Sequence, residues 1–143
     1  NYTATFDVPY EPGTLKAGNS KGKEEFVLKT AGEPAAIRLI ADRSKIKACK
    51  NDLSYVKIEL VDKNGNVVPE TSLPVKIECT GKGTVIAGGN AAYADMESFR
   101  SLTPNTFRGK AIAIVQPDGE KGDIQVKVSA KGLEDASIVI TTY

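Results

Sequence analysis

Residues 61–69 read VDKNGNVVP, a turn signal placed between two apolar segments. The pair Asn64-Gly65 tolerates the positive φ angles that a tight hairpin turn requires. Before the turn, apolar residues within segment 56–61 alternate with charged ones at the period of a half-buried strand. The segment therefore predicts a β-hairpin, and nothing in it favours a helix.

The same alternation recurs along the chain, and Gly, Pro or Asn clusters bound each segment. The last two predicted strands are expected to lie antiparallel, and no helix is predicted beyond a single turn near residues 96–100. Seven strands in about 110 residues match the size of an immunoglobulin-like β-sandwich. The predicted strands are residues 36–41, 54–62, 74–80, 84–87, 110–116, 123–131 and 137–142.

The first 30 residues carry three shorter alternating segments, at 3–8, 15–17 and 25–30. Such a segment is shorter than the roughly 40 residues that a chain usually needs to fold unaided. Residues 31–34, AGEP, form a linker because Pro34 stops the preceding ladder. We therefore expect residues 1–32 to be the terminal strands of a preceding, incomplete β-sandwich and residues 33–143 to be a complete immunoglobulin-like domain. The fold class is all-β, and the chain is expected to be a piece of a longer protein.

Composition excludes several classes of partner. The chain has 143 residues, with 19 Lys and Arg against 18 Asp and Glu, and its basic residues are scattered singly. Nucleic acid needs a positive stripe that follows the phosphates, so it is not an expected partner. No apolar run approaches the roughly 18 residues of a membrane helix, so no membrane partner is expected either.

No catalytic, cofactor-binding or metal-binding residue is predicted. The chain has no His, so no usual base stands beside a Ser, Thr or Cys nucleophile, and zinc is nearly excluded. The DKNGN stretch at 62–66 resembles the start of a calcium loop, but Leu73 stands where that loop needs an acid. Cys79 lies on a predicted strand and Cys49 in a polar connection, and their pairing is left open because geometry decides it.

The segment 81–108 is the longest without regular strand periodicity, and long loops often carry function. Within it, Asn90, Tyr93, Glu97 and Phe99 are predicted to form an interdomain or sugar-contact loop. The aromatic residues could stack on a sugar, whereas Glu97 and the neighbouring Asp95 are interpreted as solvated carboxylates, since no organised set of oxygen ligands accompanies them.

The chain also resembles a known family. Residues 8–17, VPYEPGTLKA, followed by residues 30–35, TAGEPA, closely resemble the junction between two non-catalytic β-sandwich domains of bacterial β-galactosidase-like enzymes in glycoside hydrolase family 2. The segments LSYV at 53–56 and IVQ at 114–116, together with the 61–69 turn, look like the C-terminal immunoglobulin-like domain of that family. The resemblance covers essentially the whole chain.

The resemblance implies a division of labour. In such enzymes a separate TIM barrel carries two catalytic glutamates, held about 5 Å apart for retaining hydrolysis. No part of this chain looks like that barrel, so no glutamate here inherits a catalytic role. The resemblance implies a non-catalytic accessory domain in carbohydrate metabolism, partnered by the other domains of the parent glycosidase, and it favours a periplasmic or secreted location.

Two other functions are kept as alternatives: a carbohydrate-binding module and an immunoglobulin-like repeat of a bacterial surface adhesin.

Residues 1–30 should also carry an apolar face that includes Tyr2, Phe6, Phe26 and Leu28. Unpaired strand edges and exposed apolar patches recruit partners. We therefore expect self-association through this segment.

Overall fold

The structure is a computed structural model that describes residues 3–19 and 24–143. The chain divides into two compact units, residues 1–30 and residues 31–143. In the first unit, strand β1 (Thr14–Gly18) pairs antiparallel with β2 (Glu25–Lys29), and both strands are exposed throughout. Whether this unit ends a preceding β-sandwich, and whether it self-associates, stay predictions.

The predicted strand at residues 3–8 is wrong, because the described residues 3–10 have no strand structure. An alternating segment becomes a strand only when a partner strand satisfies its backbone groups. Residues 3–8 have no such partner in the described part of the chain. Phe6 is exposed, as are Phe26 and Leu28, whereas Tyr2 lies outside the described residues.

All seven strands predicted in the second unit are present, with ends that differ by up to two residues. The additional strand β4 was missed because two residues are too few to show an alternation. The strands are β3 (Ala36–Ala41), β4 (Lys45–Ile46), β5 (Ser54–Val61), β6 (Val75–Gly81), β7 (Gly83–Gly89), β8 (Lys110–Pro117), β9 (Gly122–Ala130) and β10 (Ala136–Thr142).

These strands form two four-stranded sheets, ordered β3-β5-β8-β7 and β4-β10-β9-β6. Every pairing is antiparallel except that of β10 with β4, which is parallel. The two sheet orders correspond to strands A-B-E-D and A′-G-F-C of an immunoglobulin-type sandwich. The all-β, immunoglobulin-like fold class is therefore confirmed, including the antiparallel pairing of the last two strands.

No helix occurs among residues 3–19 and 24–143. The described chain consequently has no helix long and apolar enough to cross a membrane. The single turn predicted near residues 96–100 is present at residues 98–101, where the Ser101 N–H donates to the Ser98 carbonyl at 2.8 Å.

The core lies between the two sheets and follows from the period of two along each strand. Val56, Ile58 and Leu60 of β5 are fully buried, as are Val126 and Val128 of β9. Burying one such side chain stabilises a fold by roughly 1.5–3 kcal/mol. The alternation seen in the sequence therefore supplies the principal stabilisation of this unit.

The hairpin predicted at residues 61–69 is confirmed for its turn but is wrong for its second strand. The turn forms: the Asp62 N–H donates to the Asn66 carbonyl at 2.9 Å, and Gly65 has a φ of 80°. After the turn, however, the chain makes only one antiparallel bridge, from Val67 to Val61, and no second strand. Pro69 follows closely and has no N–H to continue a ladder, so the chain leaves this sheet.

The Asp62 side chain organises this turn. Its buried carboxylate accepts hydrogen bonds from the backbone N–H groups of Gly32 (2.9 Å), Asn64 (2.9 Å) and Asn66 (2.8 Å) and from Asn66 Nδ2 (3.1 Å). These donors, led by the Gly32 N–H, hold the pKa of Asp62 well below its usual range. The carboxylate therefore acts as a folding device that ties the linker to the turn.

The two cysteines are both free thiols in this structure. Cys49 is exposed in the connection after β4, whereas Cys79 is half-buried on β6. Burial raises the pKa of the Cys79 thiol. The thiol therefore serves as a small packing group on its strand.

Candidate functional site

The segment at residues 90–107, here called the 90–107 loop, runs from the end of β7 towards the start of β8. Its backbone lies along the free edges of two strands. The Gly88 N–H donates to the Phe99 carbonyl at 2.7 Å, the Ile77 N–H to Leu102 at 2.8 Å, and the Val75 N–H to Pro104 at 3.0 Å. Since β7 and β6 end their respective sheets, the loop caps an open side of the sandwich.

Asn90 is the centre of a polar clamp at the start of the loop. Its Nδ2 donates to Asp95 Oδ2 at 2.6 Å and to the Asn105 carbonyl at 2.9 Å, while its Oδ1 accepts from the Ala92 N–H at 2.7 Å. One side chain thus joins both ends of the loop. The contact role that the sequence suggested for Asn90 stays a prediction, and the hydrogen bonds described here all lie within the loop.

The two carboxylates of the loop are also engaged internally. Asp95 Oδ1 accepts from the Glu97 N–H at 2.9 Å, and Glu97 accepts from the Ser101 hydroxyl at 3.1 Å and the Asn105 N–H at 3.4 Å. The Glu97 N–H and the Asn90 amide lower the pKa of Asp95. A general acid needs a pKa near the working pH, so Asp95 is shifted in the wrong direction for that role.

The loop directs large side chains outward. Tyr93 is 99% exposed and Phe99 is 70% exposed, and Met96 and Leu102 are exposed as well. The Phe99 ring lies against Gly89, where an added Cβ would come within 2.8 Å of the ring. Gly89 is therefore what lets the ring lie on the sheet.

The structure separates the four predicted contact residues into two roles. Asn90 and Glu97 hold the loop together, whereas Tyr93 and Phe99 are available to a partner.

A cavity of about 30 Å³ lies beneath the loop. Its volume suits a few water molecules and is far below the roughly 300 Å³ at which ligand pockets begin. Any sugar contact would consequently use the exposed aromatic rings and not this cavity. The cavity is lined by Gly88, Gly89, Asn90, Ala92, Asp95, Glu97, Ser98, Phe99 and Pro104.

A second surface, which the sequence reasoning missed, lies on the outward side of strands β3, β5 and β8. Ile40, Tyr55 and Ile112 are each about two fifths exposed there, and Ile114 is half-buried. The register places Lys57 between Ile40 and Ile112, and Tyr55 opposite Ile114. We call this set, Ile40, Tyr55, Ile112 and Ile114, the apolar outer face.

Arg38, Glu59 and Lys110 form the next row of the sheet and border the apolar outer face, while Lys57 lies within the face and directs its Nζ towards that row. Arg38 donates to Glu59 Oε2 through Nη2 at 2.6 Å and Nε at 2.9 Å. The Nζ atoms of Lys57 and Lys110 each lie 4.0 Å from Glu59 Oε1. Three cations surround one buried carboxylate, so this border carries net positive charge.

A sequence signal for the apolar outer face exists in segment 111–115, AIAIV. The buried positions of β8 are Ala111, Ala113 and Val115, while the bulky Ile112 and Ile114 point outward. The odd-numbered and the even-numbered positions of this segment, which face opposite sides of the sheet, are therefore both apolar. The usual search for apolar residues at every second position identifies the strand but does not reveal that its outward side is apolar too.

The fold and these two surfaces define an immunoglobulin-like β-sandwich module with an edge-capping loop. The chain matches the family model described as glycoside hydrolase family 2 C-terminal domain 5 over residues 37–139. That match spans well over half of the chain, so this protein belongs to that family, as the sequence resemblance predicted.

Known relatives agree with this assignment. The chain is 33% identical over 144 residues to the β-galactosidase BoGH2A of Bacteroides ovatus, covering 99% of this chain and 17% of that protein. It is 37% identical to a glycosyl hydrolase family 2 member from Bacteroides cellulosilyticus, with a TM-score of 0.88 over 95% of this chain and 19% of the other. A β-glycosidase from Bacteroides vulgatus is 27% identical, with a TM-score of 0.87 over 94% of this chain and 18% of the other. The chain therefore spans less than a fifth of the length of each of these relatives.

Proposed function

We propose that this chain is a non-catalytic accessory domain of a family 2 glycoside hydrolase, in which it acts by contacting the other domains of a β-galactosidase-like parent. The main support for the proposal is the small fraction of each relative's length that this chain matches. Nearly the whole chain corresponds to only 17% of a β-galactosidase. The parent would hydrolyse glycosides in carbohydrate metabolism with residues outside this chain.

The chemistry of the 90–107 loop supports the absence of a catalytic role. Retaining glycosidases use one carboxyl group as an acid and a second as a nucleophile, both open to the substrate. Asp95 and Glu97 instead accept hydrogen bonds from Asn90, Ser101 and the loop backbone. Their hydrogen-bonding capacity is used to order the edge cap.

A second candidate function, carbohydrate binding, is favoured by one observation. Tyr93 and Phe99 project from a loop whose backbone is fixed by hydrogen bonds, and rigid exposed aromatic rings can stack on sugars. In this reading the module would bring the parent enzyme to a polysaccharide.

The isolated chain should be assayed with an aryl β-galactoside beside a matched Asp95→Asn, Glu97→Gln variant. We expect no hydrolysis above a mock purification from either protein. A rate that the wild-type chain retains through purification and the variant loses would contradict the proposal, because it would place catalysis on these carboxylates.

Calorimetry with galactosides and oligosaccharides tests the second candidate. Tyr93→Ala and Phe99→Ala are the informative variants, and Met96→Ala is the matched control because Met96 is equally exposed without being aromatic. Binding heat that disappears only in the aromatic variants would establish a carbohydrate-binding module. Its absence at millimolar sugar would leave the structural role alone.

A further inference from the structure

We propose that the apolar outer face docks onto another domain of the same parent polypeptide, and that the docked surface of that domain is apolar with an acidic margin. This inference rests on the proposed accessory role and adds to it the surface that is used.

The residue pattern of β8 indicates that its outward side is covered in the parent protein. The outward sides of sandwich strands normally carry polar residues. Strands whose inward and outward positions are both apolar are typical of sheets covered on both faces. In β8 the inward positions hold the small Ala111 and Ala113, whereas Ile112 and Ile114 point outward. The larger apolar side chains are thus on the side that this chain leaves uncovered.

The outward side of the other sheet differs from the apolar outer face. There Lys76 pairs with Glu78 at 2.8 Å and Lys127 pairs with Asp135 at 2.7 Å. Val139 is the one large apolar side chain of β6, β9 or β10 that is exposed among the described residues. The same sandwich therefore has one face suited to water and one suited to a partner.

The apolar outer face is continuous with an exposed ring of the 90–107 loop. Gly89 is paired with Ile112 across strands β7 and β8, so both positions project to the same side of the sheet. Phe99 lies against Gly89 and is largely exposed. Its ring consequently extends the apolar outer face beyond the edge strand.

The size of the face indicates a tethered partner. Three strands about 4.8 Å apart and about six residues long give a surface on the order of 300 Å². Complexes between separate proteins usually bury roughly 800 Å² on each partner, whereas contacts between domains of one chain are commonly about half as large. A covalent link supplies the effective concentration that a small contact needs. The face is therefore too small for a stable dimer of this chain and suits a neighbouring domain.

The charges at its border indicate the chemistry of the partner. Arg38, Lys57 and Lys110 surround Glu59, and one carboxylate leaves two of the three cations uncompensated. An acidic margin on the docked domain would balance them and fix the orientation of the contact.

Thiol labelling can test this proposal directly. In a Cys49→Ser background, which removes the exposed native thiol, Ile112→Cys reports on the apolar outer face and Val139→Cys on the opposite face. The positions are 38% and 46% exposed, so they form a matched pair. Tyr55→Cys is a second probe of the docking face should Ile112→Cys fold poorly.

Each variant is labelled in the 143-residue chain and in the full-length polypeptide that carries it. We expect labelling at Ile112→Cys to become about tenfold slower in the full-length protein, as for a site that reacts only through local opening, and labelling at Val139→Cys to stay unchanged. Equal rates at Ile112→Cys in both proteins would overturn the proposal.

Two further results would overturn it in favour of another occupant. Protection that appears in the 143-residue chain as its concentration rises would identify a second copy of the chain. Protection that appears on addition of a β-galactoside oligosaccharide would identify a sugar. Hydrolysis by the isolated chain would instead contradict the accessory role itself, so failure of the docking proposal is distinguishable from failure of the proposed function.

Discussion

The two outward faces of this sandwich are built from the same kind of strand but carry different residues. On the β6–β9–β10 side, ion pairs such as Lys76–Glu78 and Lys127–Asp135 lie among polar residues. On the β3–β5–β8 side, the apolar outer face contains one charged side chain, Lys57, and its other charges lie in the bordering row. Folding of the domain requires the inward side of each sheet, so we infer that the contrast between the outward sides reflects what each side contacts.

Under the proposed accessory role, this difference favours function through a surface over function through a pocket. The polar loop residues form internal hydrogen bonds, and the cavity beneath the loop has room for only a few water molecules. What the domain offers to other molecules is the apolar outer face together with the exposed rings of the 90–107 loop. This is the character of a module that connects or orients larger parts.

The largest loss of stability is expected from substituting a residue on the inward side of a sheet. Ile58 lies between Lys57 and Glu59 on β5 and is fully buried. Ile58→Ala should lower the free energy of unfolding by about 2–5 kcal/mol, because it removes buried apolar surface and leaves a cavity. Urea unfolding of the 143-residue chain measures the change. Lys57→Ala is the outward control, and an equal loss in that variant would contradict the assignment of the two sides.

A smaller effect is expected from the clamp of the 90–107 loop. Asn90→Ala removes hydrogen bonds to Asp95, Asn105 and Ala92, and we expect a loss of about 1–2 kcal/mol. The same change should accelerate amide exchange at Val75, Ile77 and Gly88, whose N–H groups bond to the loop.

Tyr93→Ala is the control for the clamp, since Tyr93 is almost completely exposed. Unchanged exchange at those three amides in Asn90→Ala, measured by NMR, would show that the edge cap does not depend on the clamp.

A pair of polar substitutions, one on each outward face, tests whether only the apolar outer face contacts another domain. In the 143-residue chain, Ile112→Thr and Val139→Thr should each change stability by less than about 1 kcal/mol, because both side chains are partly exposed. In the full-length polypeptide, only Ile112→Thr should lower the unfolding temperature of this domain, by roughly 2–4 °C. Differential scanning calorimetry makes the measurement, and equal behaviour of the two variants would remove the distinction between the faces.

The smallest effect concerns pH. Hydrogen bonds from the Glu97 N–H and the Asn90 amide lower the pKa of Asp95. A lowered folded-state pKa means that these contacts stabilise the loop above the unfolded value of about 3.9 and are lost as pH falls through the folded value. NMR titration should show the Asn90 amide signals moving only below that pH. Asp95→Asn should abolish the movement, and a transition near neutral pH would contradict the assignment.

The sequence predicted most of the fold because alternation and turn residues act locally. Seven strands and the turn at Asp62 followed from them, whereas residues 3–8 alternate without acquiring a partner strand. The strand expected after Val67 fails for a similar reason, since Pro69 stops the ladder. Local pattern identifies candidates for strands, and pairing decides which of them form.

The candidate site was less predictable. Tyr93 and Phe99 were found from composition, but the capping role of the 90–107 loop depends on bonds to Val75 and Ile77, which are distant in sequence. The apolar outer face escaped detection because every residue of segment 111–115 is apolar, so the pattern alone does not show which residues face inward. Burial shows that the alanines face inward.

The most direct test of the account uses unmodified protein. Hydroxyl-radical footprinting read by mass spectrometry compares oxidation of Tyr55, on the apolar outer face, with oxidation of Val139, on the opposite face, in the 143-residue chain and in the full-length polypeptide. The account predicts that oxidation of Tyr55 falls severalfold in the full-length polypeptide while oxidation of Val139 stays the same. Undiminished oxidation of Tyr55 would contradict it.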